Sequence, residues 1–205
     1  MAFPEHSALV IIDMQKAFVK PGAALCIHGA AVTVAAVARL AAAARQQQVP
    51  VIWVCRSYAP DGSNMEPPRW RDLVARGYGA SGVLAPGSRG INSEELAEGL
   101  SMEPGDYRLV KPRYSAFFHT ELEALLQRLG VRTLVISGTT VPNCIRSTAY
   151  DALSLDLETI VPGDTVSSIS DDIQEANLRD MARAGVIICQ SDVLIQKGKE
   201  EKWMK

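Results

Sequence analysis

Short apolar runs that alternate with helical segments constrain the fold of this chain most. Residues 8–12 and 134–136 form continuous runs rich in β-branched side chains, which are typical of strands buried on both faces. Further strands are predicted at 51–55, 107–110, 158–161 and 186–188. Because strands that alternate with helices form parallel sheets with right-handed crossovers, we predict an α/β fold. It would be three-layered and Rossmann-like, with a six-stranded, mostly parallel sheet and helices on both faces.

Helices are predicted at 30–48, about 70–75, 120–129, 143–155 and 171–184, with a helical turn at 92–99. The segment from Arg56 to about residue 90 departs from this rhythm, since it holds four prolines and six glycines, and it reads as a long loop around one short helix. Loops of that length are usually functional or disordered. No break in composition divides the 205 residues, so residues 1–205 are predicted to form a single domain.

Composition and charge exclude several classes of partner. The formal net charge is −2 and no basic cluster stands out, so we expect neither nucleic acid nor an anionic membrane as a partner. The N-terminus lacks a secretory pattern and no apolar run approaches the roughly 20 residues of a membrane span, which predicts a cytoplasmic protein. The four cysteines show no metal-type or C-x-x-C spacing, so reduced thiols are expected.

One cysteine lies where a thiol can become a nucleophile. The apolar run at 134–136 ends at Gly138, and a helical pattern begins near Pro142 or Asn143, so Cys144 falls in the first helical turn. Unpaired N–H groups and the helix dipole there favour a thiolate, which predicts a pKa below the free value of about 8.5. The same N–H groups could hold an oxyanion. The alternative is a small buried residue, which most cysteines are.

Two charged residues end other predicted strands. Asp13 follows the run at 8–12, and Lys111 follows the run at 107–110. Each has an ordinary alternative, a loop cap for Asp13 and a solvated charge for Lys111. Ligands of open parallel sheets bind outside the carboxyl ends of the strands, so these two residues and Cys144 can converge there.

Three segments of the chain carry a resemblance to a known family. They read LVIIDMQ at 9–15 with Phe18, VK at 110–111 with YSAF at 114–117, and GTTVPNCIRSTA at 138–149. In this order they resemble the isochorismatase-like cysteine hydrolase superfamily, which includes nicotinamidases, N-carbamoylsarcosine amidohydrolases, ureidoacrylate hydrolases and isochorismatases. The resemblance spans most of the chain, and we expect the strand order 3-2-1-4-5-6.

The resemblance implies a site and a chemistry. Asp13, Lys111 and Cys144 would be the catalytic triad. A cis peptide bond would join Thr139 to Thr140, and the backbone N–H groups of Thr140 and Cys144 would form the oxyanion hole. The expected reaction is hydrolysis of an amide or ureide C–N bond through a Cys144 thioester, with Asp13 as general acid and base and Lys111 as electrostatic support.

Two other functions remain open at this stage. One is hydrolysis of an isochorismate-like vinyl ether, with Asp13 as the acid and the cysteine dispensable. The other is a non-catalytic binding protein on the same fold. Nicotinamidases carry a metal-binding Asp-x-His after the second strand, where this chain reads Cys55-Arg56-Ser57-Tyr58. We therefore predict no catalytic metal and no cofactor, and we disfavour nicotinamide as the substrate.

Four residues are predicted to bind the substrate, a small amide or ureide: Phe18, Arg56, Tyr114 and Thr139. Arg56 could pair with a substrate carboxylate, since a guanidinium binds carboxylates in bidentate fashion, or it could be a solvated loop arginine. Phe18 and Tyr114 closely follow catalytic strand ends, and plain core packing or a contact with another subunit is their alternative. Family members commonly assemble as dimers or tetramers, so a homodimer or homotetramer is expected.

Overall fold

The computed structural model describes residues 2–78 and 82–196. The charged segment 197–205, for which the sequence predicts mobility or a subunit contact, lies outside the described residues. The described strands are β1 (Ser7–Ile12), β2 (Val51–Arg56), β3 (Tyr107–Lys111), β4 (Thr133–Thr139), β5 (Glu158–Pro162), β6 (Val166–Ser167) and β7 (Ile187–Cys189). The described α-helices are α1 (Lys16–Val19), α2 (Ala30–Gln46), α3 (Pro67–Ala75), α4 (Leu122–Arg128), α5 (Arg146–Ser154), α6 (Asp171–Arg183) and α7 (Asp192–Ile195).

The strands form one sheet in the order β3-β2-β1-β4-β5-β7, and every strand pair in the described chain is parallel. This confirms the predicted α/β class and the order of the six predicted strands. The sheet has a seventh member, because the two-residue strand β6 pairs with the end of β4 beside the main path. Two residues are too few to produce a periodic signal in a sequence.

Two predicted helical segments differ from expectation. The helix expected at 143–155 begins as a π-helical turn, Val141–Ile145, which leads directly into α5. Residues 92–99 form turns instead of a helical turn, and Leu96 makes an isolated antiparallel bridge to Gln15. A backbone partner outside the segment therefore decides its conformation.

The sheet is covered on both faces. Residues of β1 alternate between two apolar clusters: Leu9 and Ile11 pack with α2 and α7, whereas Val10 and Ile12 pack with α4, α5 and α6. All six residues of β1 are buried, which explains why its sequence is continuously apolar and does not alternate. A third cluster lies beneath residues 56–78 and 82–90 and is described below.

β1 and β4 approach each other closely where they end. Gly138 pairs with Ile12, and a Cβ at Gly138 would lie 2.1 Å from the Ile12 carbonyl oxygen. Gly138 also has a φ of 109°, which favours glycine. Only glycine therefore fits at this end of β4. No helix among the described residues is both long and apolar enough to span a membrane.

Candidate active site

The three residues predicted to be catalytic meet at one edge of the sheet. Asp13 follows β1, Lys111 is the last residue of β3, and Cys144 lies in the π-helical turn after β4. Lys111 Nζ is 2.7 Å from Asp13 Oδ2 and 3.4 Å from Cys144 Sγ. All three side chains are buried. The parallel arrangement thus brings together an acid, an ammonium and a sulfur that are far apart in the sequence.

Asp13 has one oxygen without a partner. Its Oδ2 accepts the bond from Lys111, whereas its buried Oδ1 accepts no hydrogen bond in the described part of the chain. The backbone has a positive φ of 54° at Asp13, and its N–H donates to the Val54 carbonyl of β2 at 2.9 Å. A buried carboxylate oxygen without a donor can take up a proton at little cost in lost hydrogen bonds.

The electrostatics of Cys144 differ from the sequence prediction. Burial raises the pKa of the Cys144 thiol, and the negative charge of Asp13 raises it further. The positive charges of Lys111 and Arg56 act in the opposite direction without reversing the shift. The prediction of a lowered pKa is wrong, because loss of solvation outweighs the neighbouring cations. The resting sulfur is therefore a protonated thiol at neutral pH.

Arg56 is fully buried beside the sulfur, so it is not a solvated loop arginine. Its Nη1 pairs with Glu66 Oε1 at 2.5 Å, its Nη2 lies 4.0 Å from Cys144 Sγ, and its Nε has no partner among the described residues. The Gln15 side chain bonds both the N–H and the C=O of Arg56, at 2.7 and 2.8 Å. Both the backbone and the guanidinium of Arg56 are therefore held in place.

Three contributors to this site were not predicted from the sequence. Glu66 pairs with Arg56 and also accepts a hydrogen bond from the Tyr58 hydroxyl at 2.9 Å. Gln15 holds the backbone of Arg56 as described above. The sequence predicts a long loop for the segment that contains Tyr58 and Glu66, and only its path through space brings these side chains to the site. The one available signal was a lone acidic residue before the helix-starting Pro67-Pro68 pair.

The other predicted substrate-binding residues lie at different depths. Phe18 is buried in the third apolar cluster with Tyr58 and Leu73 and is part of the core there. The Tyr114 ring is 38% exposed and lies 5.8 Å from the Arg56 guanidinium. Thr139 is buried, and its Oγ1 bonds to neighbouring hydroxyls. Contact of these residues with a substrate stays a prediction.

The backbone around Cys144 is held from both sides. The peptide bond between Thr139 and Thr140 is cis, as the family resemblance implies. The Thr140 carbonyl accepts bonds from the N–H groups of Asn143 and Ile145, both at 3.2 Å. The Cys144 carbonyl accepts from Thr148 Oγ1 at 2.7 Å. These bonds fix the turn that carries the sulfur.

No cluster of three or more histidine, cysteine, aspartate or glutamate side chains suited to a metal ion occurs among the residues that the structure describes. At the end of β2, where the resemblance places metal ligands in nicotinamidases, the chain has the Arg56–Glu66 ion pair. A guanidinium cannot be a metal ligand, since it has only donor N–H groups.

Comparisons with known proteins identify relatives of this chain. Residues 7–193 match the family model described as the Isochorismatase domain. A probable inactive nicotinamidase from Arabidopsis thaliana is 39% identical over 183 residues, which cover 88% of this chain and 90% of that protein. The ureidoacrylate amidohydrolase RutB of Methylobacterium radiotolerans is 32% identical over 174 residues, which cover 78% of this chain and 67% of RutB.

A solved structure supports the same relationship. The crystal structure of an isochorismatase family protein from Desulfovibrio vulgaris superposes with a TM-score of 0.84 at 39% identity, covering 93% of this chain and 99% of that one. Both the sequence and the fold are therefore shared over nearly the whole described chain. From its matched span and its parallel sheet, the chain belongs to the isochorismatase family of cysteine hydrolases.

Proposed function

We propose that the protein hydrolyses an amide or ureide C–N bond of a small molecule through a thioester on Cys144. One observation carries the proposal: Lys111 Nζ lies between Asp13 Oδ2 and Cys144 Sγ, while Asp13 Oδ1 is buried without a partner. A nucleophile, an acceptor for its proton and a fixed cation are the parts that covalent hydrolysis requires.

In the first half of the reaction, Sγ attacks the carbonyl carbon while Asp13 Oδ1 takes the thiol proton. The raised pKa of the thiol makes this acceptor necessary, because little thiolate is present at neutral pH. Asp13 then gives the proton to the leaving nitrogen as the C–N bond breaks. The products of this half-reaction are the thioester and ammonia or an amine.

In the second half, water attacks the thioester carbon and gives a proton to Asp13, and the proton returns to sulfur as the C–S bond breaks. Lys111 Nζ contacts both Asp13 Oδ2 and the sulfur and gives the reaction electrostatic support. The backbone N–H groups of Thr140 and Cys144 would stabilise the oxyanion of both tetrahedral intermediates, with about 3 to 4 kcal/mol from each donor.

The relatives differ in what their names say. One is named a probable inactive nicotinamidase and the other a ureidoacrylate amidohydrolase. Because this chain retains the acid, the lysine and the cysteine, an active amidohydrolase is the better supported of the two readings. The expected small-molecule substrate, cytoplasmic location and homodimer or homotetramer belong to the same proposal.

The proposal is tested by screening small amides and ureides for ammonia release. We expect Cys144→Ala to lower the rate at least about 1,000-fold, since the covalent route is lost. Cys26→Ala is the matched control, because Cys26 is an exposed cysteine outside the site, and its rate should equal that of the wild type. Rapid quenching should also reveal an acyl adduct on the Cys144 peptide by mass spectrometry.

Two results would contradict the proposal. A Cys144→Ala protein that still turns over its substrate would favour the vinyl-ether route, in which Asp13 acts without the sulfur. A wild-type protein that binds amides or ureides and releases no ammonia would favour the non-catalytic binding protein.

A further inference from the structure

A second arginine adjoins Arg56. Arg69 lies on α3, and its Nη1 donates to the Tyr58 hydroxyl at 2.7 Å. The Tyr58 hydroxyl in turn donates to Glu66, the ion-pair partner of Arg56. The guanidinium groups of Arg56 and Arg69 each lie 5.8 Å from the centre of the Tyr114 ring. The five side chains therefore form one connected network.

The charges of this network and of the neighbouring catalytic groups do not cancel. Three cations, Lys111, Arg56 and Arg69, face two carboxylates, Asp13 and Glu66. Burial raises the pKa of both the Cys144 thiol and the Tyr58 phenol, so neither supplies a negative charge at neutral pH. One positive charge is left over, and it lies on a residue that is neither fully buried nor fully exposed. A partly desolvated cation without a counterion is stabilised by an incoming anion.

The uncompensated charge belongs to Arg69. Lys111 pairs with Asp13, and Arg56 pairs with Glu66. Arg69 makes no ion pair within the described ranges 2–78 and 82–196, and its one hydrogen bond there goes to a neutral phenol. Arg69 is partly exposed and the neighbouring Tyr114 is exposed, so a ligand can reach this guanidinium from solvent. A guanidinium with free N–H groups beside an aromatic face suits a planar carboxylate.

We propose that Arg69 binds a carboxylate of the substrate, so that the natural substrate is a small amido or ureido acid and not a neutral amide. This inference rests on the proposed function and names its substrate class. Arg56 plays a different part, because its Nη1 is committed to Glu66 and its Nη2 faces Cys144 Sγ. Arg69 is a specificity-determining residue. Tyr58 and Glu66 are positioning residues, because they link the guanidinium groups of Arg56 and Arg69.

The charge of Arg69 interacts with the Arg56 guanidinium, which itself faces the sulfur. Burial lowers the pKa of Arg69 and the Arg56 charge lowers it as well, whereas the interactions with Tyr58 and Glu66 raise it and prevail. A carboxylate at Arg69 would thus lie in the field of the same cations that face the sulfur. Its acyl group could then reach Cys144 while its charge stays at Arg69.

The test uses pairs of compounds that release ammonia and differ in charge alone. Each pair has a carboxylate member and a methyl-ketone analogue, for example succinamate and 4-oxopentanamide. For the wild type, we expect kcat/KM to be about 10- to 100-fold higher for the carboxylate member, the range for one charge-assisted contact. Arg69→Gln should abolish this preference, because KM should rise much more for the acid than for the neutral member.

A matched control lies two residues further along α3. Arg71 is exposed, so Arg71→Gln removes the same charge outside the site and should keep the preference intact. Arg69→Lys should restore part of the preference, because it keeps the charge and loses the planar fork. If Arg69→Gln fails to fold, as judged by circular dichroism, the wild-type preference and the lysine variant still test the proposal.

Three outcomes would overturn the inference. Equal turnover of both members of each pair by the wild type would refute it while leaving the proposed function in place. A drop of equal size for acid and ketone in Arg69→Gln would assign Arg69 a merely structural role. Absence of ammonia from every pair would overturn both the inference and the proposed function.

Discussion

At Cys144, one carboxylate and two cations compete for control of a single proton. Lys111 lies 3.4 Å from the sulfur and Arg56 lies 4.0 Å from it, and both favour the thiolate. Burial and the charge of Asp13 favour the thiol, and their combined effect prevails. The resting sulfur is therefore a neutral thiol. In the proposed reaction, proton transfer to Asp13 must accompany attack on the substrate.

The balance of charges predicts opposite shifts for two variants. Asp13→Asn removes a negative charge and should lower the pKa of the Cys144 thiol. Lys111→Gln removes a positive charge and should raise that pKa. The measurement is the rate of iodoacetamide labelling of the Cys144 peptide between pH 6 and 11, followed by mass spectrometry. In the wild type, the pH midpoint of the Cys144 labelling rate should lie above the free-cysteine pKa of about 8.5.

Labelling of the exposed Cys26 in the same samples provides the control, and its pH profile should be the same in all three proteins. Movement of the Cys144 midpoint in the same direction in both variants would show that a change of structure, and not of charge, governs the thiol.

The residues of the site were only partly predictable from the sequence. The convergence of Asp13, Lys111 and Cys144 could be predicted because each lies at or after the end of a strand, and strand ends converge in a parallel sheet. The direction of the Cys144 pKa could not be found, since a motif carries no measure of burial. Glu66 and Arg69 were missed because their neighbours across the site come from other segments, and the path of residues 56–78 decides those contacts.

At the scale of elements, the junction of β1 and β4 sets the position of Asp13 and Cys144, two groups of the candidate site. Ile12, the last residue of β1, pairs with Gly138 of β4 just before Asp13, and the turn with Cys144 begins three residues after Gly138. The absence of a side chain at Gly138 lets the two backbones approach. The spacing between Asp13 and Cys144 thus depends on a position that does no chemistry.

Two glycine variants isolate the contribution of this close approach. Gly138 and Gly185 have nearly the same φ, 109° and 107°, and only Gly138 has backbone atoms within 4 Å of its would-be Cβ. Gly185→Ala should lower the free energy of unfolding by about 1 to 2 kcal/mol, the cost of a left-handed conformation. Gly138→Ala should lower it by more than twice that amount and reduce kcat, as measured by urea unfolding and ammonia release. Equal losses would mean that the β1–β4 contact relaxes freely.

The sequence predicted the elements of this fold better than their ends. All six predicted strands exist. β1, β2 and β4 are buried throughout, which explains their continuous apolar runs, whereas β3 and β7 at the two ends of the sheet are only partly buried. The turn that contains Cys144 could not be recognised as π-helical, since its residues also fit the first turn of an α-helix. β6 depends on pairing with β4, which local sequence does not encode.

At the scale of the whole molecule, the two large apolar clusters share their strands. Neighbouring residues of β1, such as Leu9 and Val10, enter opposite clusters, so neither cluster can open without exposing the other face of the same strand. The third cluster, with Phe18 and Leu73, is smaller and supports α3, which carries Arg69. The fold of the sheet and the shape of the site are therefore coupled through residues 56–78.

This shared sheet predicts cooperative unfolding of the single domain expected from the sequence. Leu40→Ala in α2 and Leu125→Ala in α4 each remove a buried side chain, one on either face of the sheet. Each should lower the free energy of unfolding by about 2 to 5 kcal/mol. Far-ultraviolet circular dichroism reports the helices, and tryptophan fluorescence reports the three tryptophans, among them the buried Trp53 of β2. In urea, both signals should change in one transition, and each variant should move the two midpoints together. If either variant separated the two midpoints, the faces of the sheet would unfold independently and the single cooperative unit would be disproved.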